Sequence, residues 1–164
     1  MGILFNADEV FEMAIQSEEN GAAFYRRAAE LHSGQDDVAF LLVLAEAEEK
    51  HKKTFQEMRS TLVGIQKESG VHDPYDEAAQ YLDAVADGSG GEGSPKVAES
   101  LTGRETLSDI LKIAIGLEKN SILFYLGLVD VVPERLGKQK VQDIIQQEKA
   151  HLTELVGELH KHQA

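Results

Sequence analysis

Glu18, Tyr25, Glu48 and His51 recur one hundred residues later as Glu118, Tyr125, Glu148 and His151. Each copy supplies a Glu, a Tyr seven residues on and, thirty residues after the first Glu, the start of a Glu-x-x-His. Residues three apart share one face of a helix, so each Glu-x-x-His can aim both side chains the same way. Four carboxylates and two imidazoles pointed into one interior are costly to bury without cations to neutralise them. The repeat therefore constrains the chain to an all-α bundle around a polar layer, with two helical hairpins facing each other across a pseudo-twofold axis.

The apolar pattern agrees. Asn6 followed by Glu9 reads as a capping box, and a stripe then runs through Val10, Ala14, Glu18, Ala22, Tyr25 and Ala29 to a stop near His32-Ser33-Gly34. A second helix is expected from about Asp36 to about Ser69-Gly70, with Leu41, Leu44, Glu48, His51, Phe55, Met58 and Leu62 on one face. Asp73-Pro74 opens a short amphipathic helix, Tyr75 to Asp87, and the Gly/Ser-rich stretch at about 88–96 reads as a flexible linker. A third long helix should start near Thr106 with Leu107, Leu111, Ala114, Glu118, Ile122 and Tyr125 inward. A fourth, with Pro133 in its first turn, should bury Val141, Ile144, Glu148, His151, Leu155 and Leu159. Tight joints make each pair antiparallel. About thirty-five residues separate the pairs, enough to return the chain along the whole bundle and leave the two middle helices parallel, as in a bundle with one long crossover. A single domain over residues 1–164 is expected.

Each ion would have a terminal Glu, a His and a share of two bridging carboxylates, which resembles the di-iron or di-manganese carboxylate pattern. Glu18 and His51 are assigned to one ion and Glu118 and His151 to the other, with Glu48 and Glu148 bridging. Hard oxygens with imidazole favour iron, with manganese or zinc able to occupy the same ligands. Two divalent ions would cancel the four carboxylate charges. Tyr25 and Tyr125, two turns from Glu18 and Glu118, should pack beside the site as hydrogen-bonding neighbours of a ligand carboxylate or as one-electron donors. Glu46 and Glu49 fall off the inward face. His32, His72, His160 and His162 are expected in solvent.

The formal net charge of −13 disfavours nucleic acid and anionic membranes as partners. Without cysteine there is no disulfide, thiolate zinc site or iron-sulfur centre within the chain. Electrons for redox chemistry would come from an external donor protein. The absence of an apolar leader or spanning stretch predicts a cytoplasmic protein, and the long amphipathic helices with Tyr75 to Asp87 offer surface for a homodimer.

Glu18-Glu19-Asn20-Gly21-Ala22-Ala23-Phe24-Tyr25, Glu48-Glu49-Lys50-His51, Glu118-Lys119-Asn120-Ser121-Ile122-Leu123-Phe124-Tyr125 and Glu148-Lys149-Ala150-His151 together resemble the ferritin-like superfamily, and within it the rubrerythrin-like di-iron proteins. That resemblance spans all four predicted bundle helices and implies a diferrous centre that reacts with hydrogen peroxide or oxygen and is then reduced again. Two departures narrow it. Rubrerythrins proper add a cysteine-rich rubredoxin domain, and they carry an extra carboxylate on the third helix where this chain has Ile115 and Ser121 on either side of Glu118. The symmetric four-Glu, two-His set is also that of bacterioferritin-like proteins, so iron oxidation for storage is the alternative reading. Cage ferritins typically add a short fifth helix, whereas the thirteen residues of this sequence after His151 mostly finish the fourth helix and a Gly-rich insertion separates the halves, so a cage is the weaker expectation.

Overall fold

Residues 6–64, 96–132 and 134–163 are described by the computed structural model. Among them are five α-helices and no strand: α1 (Ala7–Leu31), α2 (Gln35–Ser60), α3 (Lys96–Glu99), α4 (Leu107–Val131) and α5 (Lys138–Gln163), with a 3-10 turn at Glu134–Leu136. The short helix expected over Tyr75–Asp87 and the linker residues 88–95 lie outside the described residues, while Lys96 opens the one-turn α3.

The helix starts follow local chemistry. Asn6 Oδ1 accepts from the Glu9 N–H at 2.9 Å, and the Asn6 N–H donates to the Glu9 carboxylate at 2.9 Å. The same reciprocal cap opens α4, where Thr106 and Asp109 exchange bonds of 3.0 and 3.1 Å. Each cap satisfies two backbone donors that a helix start otherwise leaves open. The hundred-residue repeat thus extends back to the helix caps.

Two boundaries differ from the expectation. α2 stops at Ser60 instead of near Gly70, because Thr61 turns its hydroxyl onto the Met58 carbonyl at 2.6 Å and the next backbone N–H bonds to Arg59. That turn swings Leu62 into the core, and Gly64 follows at φ +43°, in the left-handed region glycine favours. α5 begins at Lys138, beyond the position of Pro133, which is itself outside the described residues. The chain first makes the 3-10 turn and passes through Gly137 at φ +99°. A residue with a Cβ would be strained there.

Two apolar clusters lie at opposite ends of the bundle. One joins Val10 and Phe11 of α1, Phe55 of α2, Leu128 of α4 and Val141 of α5. The other joins Ala28 of α1, Leu41 of α2, Leu111 of α4 and Leu155 of α5. The start of α1, the end of α2, the end of α4 and the start of α5 therefore meet at one end. α2 and α4 run parallel, and the chain leaves α2 at one end of the bundle and enters α4 at the other. The long crossover predicted from the sequence is present, and α3, at its close, packs on α1. Between the clusters sits the polar layer.

His32 corrects the reading of the end-of-helix histidines. Its Nε2 lies 3.1 Å from the Glu105 carbonyl and its Nδ1 3.5 Å from Asp37, so it ties the α1–α2 turn to the loop that enters α4. His162 is exposed but lays its ring against Phe40 with centroids 5.0 Å apart. His160 is exposed as expected, and His72 lies outside the described residues.

Candidate metal centre

Each of the four long helices brings one carboxylate to mid-bundle. Glu18 and Glu118 are 1% exposed, Glu48 4% and Glu148 0%. The imidazoles follow one turn after Glu48 and Glu148 and stack on each other, with ring centroids 3.3 Å apart and planes 10° from parallel. His51 Nδ1 lies 3.4 Å from Glu18 Oε2 and 3.5 Å from Glu48 Oε2. His151 Nδ1 lies 3.4 Å from Glu148 Oε2, 3.8 Å from Glu18 Oε1 and 3.9 Å from Glu118 Oε1. All six residues singled out from the repeat meet in one layer.

These distances give two overlapping groups, Glu18 with both histidines and Glu118 with Glu148 and His151, each with ligand atoms within 4.8 Å of one another. Glu18 spans the two imidazoles, one oxygen facing each. α1 and α2 approach closely beside this layer. Gly21 is packed so closely that a Cβ there would sit 3.3 Å from Glu48 Oε2. Glu48 leans over that gap toward α1, and the matching position on α4 is Ser121, which is buried and carries a side chain. Gly21 was not singled out from the sequence. A glycine in mid-helix, which forfeits about 1 kcal/mol relative to Ala, is the signal of close approach that would have found it.

The residues fit a pair of divalent cations. Both Glu148 oxygens and Nδ1 of His51 and of His151 are buried and make no hydrogen bond. Buried donors and acceptors are ordinarily satisfied, and here the atoms converge instead on a common volume. Even two protonated imidazoles would offset only half of four carboxylate charges, whereas two divalent ions offset all of them. Burial alone would push the Glu48 carboxyl up, but His51, Glu18 and the charge on both imidazoles hold it below the usual range.

Tyr25 and Tyr125, each 2% exposed, flank the layer on opposite sides, Tyr25 in one apolar cluster and Tyr125 in the other. Each meets the preceding Phe edge to face, with centroids 5.3 Å apart for Phe24–Tyr25 and 5.4 Å for Phe124–Tyr125. Glu49 stays outside, bonded to Arg26 at 2.9 Å and Lys52 at 2.8 Å, and Glu46 is exposed.

The sequence matches the family model described as Rubrerythrin over residues 9–159. The chain belongs to the rubrerythrin family. Among solved structures, this rubrerythrin-family chain is similar to a protein from Thermotoga maritima described as a ferritin-like diiron-carboxylate protein. The two share 24% identity and a TM-score of 0.58, with 98% of each chain covered. That likeness supports the fold. No curated protein matches the chain. Among the described residues of this rubrerythrin-family protein, no helix is long and apolar enough to cross a membrane.

Proposed function

We propose that this protein is a di-iron oxidoreductase that reduces hydrogen peroxide or oxygen. The observation that carries the reading is the buried layer in which four carboxylates from four helices converge on two stacked imidazoles. When bound there, two ferrous ions would supply one electron each and Lewis acidity, with manganese as the substitute the same oxygen-rich set accepts.

The chain's own residues do the rest. Glu18, Glu48, Glu118 and Glu148 hold the charge of the ions, while His51 and His151 turn Nδ1 toward the carboxylates. The helices fix that geometry, and the apolar clusters shield the layer from the two ends of the bundle. Tyr25 and Tyr125 stand ready to orient the layer from either side. No cysteine is present, so re-reduction is assigned to a separate donor protein.

Anaerobic loading with ferrous iron followed by stopped-flow mixing with peroxide or with oxygen tests this. Two irons per chain and fast oxidation by one of the two are expected, the faster oxidant naming the reaction. Loading well below two, or an iron-loaded protein inert to both, would sink the reading. The symmetric four-Glu, two-His set supports iron oxidation for storage as the second reading. A large assembly that accumulates many irons per chain would favour storage, and a small oligomer that stops at two would exclude it.

A further inference from the structure

An open groove of about 460 Å³ runs between α2 and α5. Glu48, His51 and His151 close its inner end, so it leads directly to the polar layer. Its walls are mostly hydrocarbon, Phe40, Val43, Leu44 and Ala47 on α2 and Leu155 on α5, with Thr153 and Glu154 as polar positions on the α5 side. Gly157 also lines it, and a Cβ at that position would meet nothing within 4 Å. At the outer end Lys161 pairs with Glu158 at 2.6 Å, and the His162 ring lies on Phe40. At ~1.5 Å rise per residue, His151 to Lys161 spans about 15 Å along α5.

Hydrogen peroxide and oxygen need no such volume, since a water molecule occupies only ~30 Å³ and either oxidant is of that order. The groove has instead the size of a site for a small organic ligand. Hydrocarbon walls gain nothing from a hydrated, fully polar peroxide, but they favour an apolar body whose one polar end reaches the histidines. We propose that the groove binds an organic hydroperoxide, its hydrocarbon part along Val43, Leu44, Ala47 and Leu155 and its O–O end at His51 and His151.

This rests on the di-iron reading above. With two ferrous ions held by the six residues, the O–O bond would break on taking up two electrons, one from each iron, and two protons from solvent, to give one alcohol, one water and a diferric pair. Gly157 sets how wide the hydrocarbon part can be.

The test starts with the zinc-loaded protein, which is redox-inert, and cumyl alcohol, the alcohol that cumene hydroperoxide would yield, titrated by calorimetry. Saturable binding is expected in the wild type. Gly157→Leu should weaken it roughly tenfold or more at unchanged zinc content, and Ala47→Leu, which narrows the groove from the other wall, should do the same. In iron-loaded protein, the ratio of the cumene hydroperoxide rate to the hydrogen peroxide rate should fall by a similar factor in both variants.

Failure separates the two readings. Iron-loaded wild type that consumes hydrogen peroxide while the zinc form does not bind cumyl alcohol overturns the groove assignment and leaves the di-iron reading standing. Binding of cumyl alcohol with neither peroxide oxidising the ferrous protein overturns the di-iron reading and, with it, this substrate. Variants that bind as tightly as wild type, or that lose both rates in proportion, overturn the groove assignment alone.

Discussion

In the α4–α5 hairpin the Glu-x-x-His is the more enclosed, with the His151 side chain at the groove's inner end 5% exposed above a fully buried Glu148. In the α1–α2 hairpin the matching His51 side chain is 20% exposed and opens to the groove. The surfaces differ in the same sense. Surface ion pairs bind α1 to α2 through Arg26–Glu49, Lys52–Glu19 and Arg59–Asp8, whereas the α4–α5 pair, His151 with Glu118 at 3.9 Å, lies in the buried layer. α4 instead meets its partner through aliphatic side chains such as Ile110, Leu111 and Leu128. A duplicated Glu-x-x-His pattern therefore yields two half-sites that differ in exposure, His51 more open than His151. Access is set by the residues around the ligands, not by the ligands.

The largest expected effect tests whether the halves share one metal centre. Glu148→Ala should reduce bound metal from two to one or fewer per chain, read by elemental analysis, since loss of a direct ligand costs at least the 10–100-fold in affinity typical of its outer partners. Glu49→Ala, on the charged surface of α2, should leave occupancy unchanged. Equal losses would mean that the inward face has been misassigned.

Next come the paired core positions, Phe55 and its repeat partner Leu155. Phe55 is fully buried with its ring centroid 6.5 Å from that of Phe11, so Phe55→Ala should cost about 3–5 kcal/mol in denaturant unfolding. Leu155 lines the groove, where water can fill the space left behind, and Leu155→Ala should fall near the lower end of ~2–5 kcal/mol. A larger loss at Leu155 would mean that the groove closes in solution.

Arg59 sharpens the surface contrast. Its guanidinium grips the Asp8 carboxylate through two bonds of 2.9 Å, but both side chains remain about a third exposed. Arg59→Ala should cost about 1 kcal/mol or less, and the difference should shrink in high salt. A loss insensitive to salt would point to packing of the Arg59 stem as the cause.

The smallest effect concerns the loop that enters α4. The Thr102 and Gly103 N–H groups and the Thr102 hydroxyl donate to Glu105 and hold its carboxyl down at about 2 from 4.5. Because the folded value is depressed, its stabilisation is complete above the unfolded value of 4.5 and is lost as pH falls toward about 2. The melting-temperature gap between wild type and Glu105→Gln should therefore be constant above about pH 5 and close as pH approaches about 2. A gap that does not change with pH would assign the loop's order to Gly103 and His32 instead.

The convergence of the six Glu and His side chains, the inward stripes and the capped start of α1 were legible in the sequence because each depends on residues three or four apart, which a helix places on one face whatever surrounds it. The parallel run of α2 and α4 followed from connection lengths. The end of α2 was less legible, since a Thr hydroxyl competing for a carbonyl, followed by Leu62 turning inward, leaves an apolar pattern much like that of a continuing helix. The placement of His32 was hidden because its partner, Glu105, is seventy-three residues away.

By itself, then, the sequence determined that four carboxylates and two imidazoles would share one interior, because helical periodicity and duplication leave them no other common face. Tertiary structure decided how they share it. Gly21 brings the backbone of α1 close enough for Glu48 to lean across, Glu18 spans both imidazoles, and a groove between α2 and α5 ends on His51 and His151. Those outcomes depend on the distances between packed helices, which spacing along one chain does not encode.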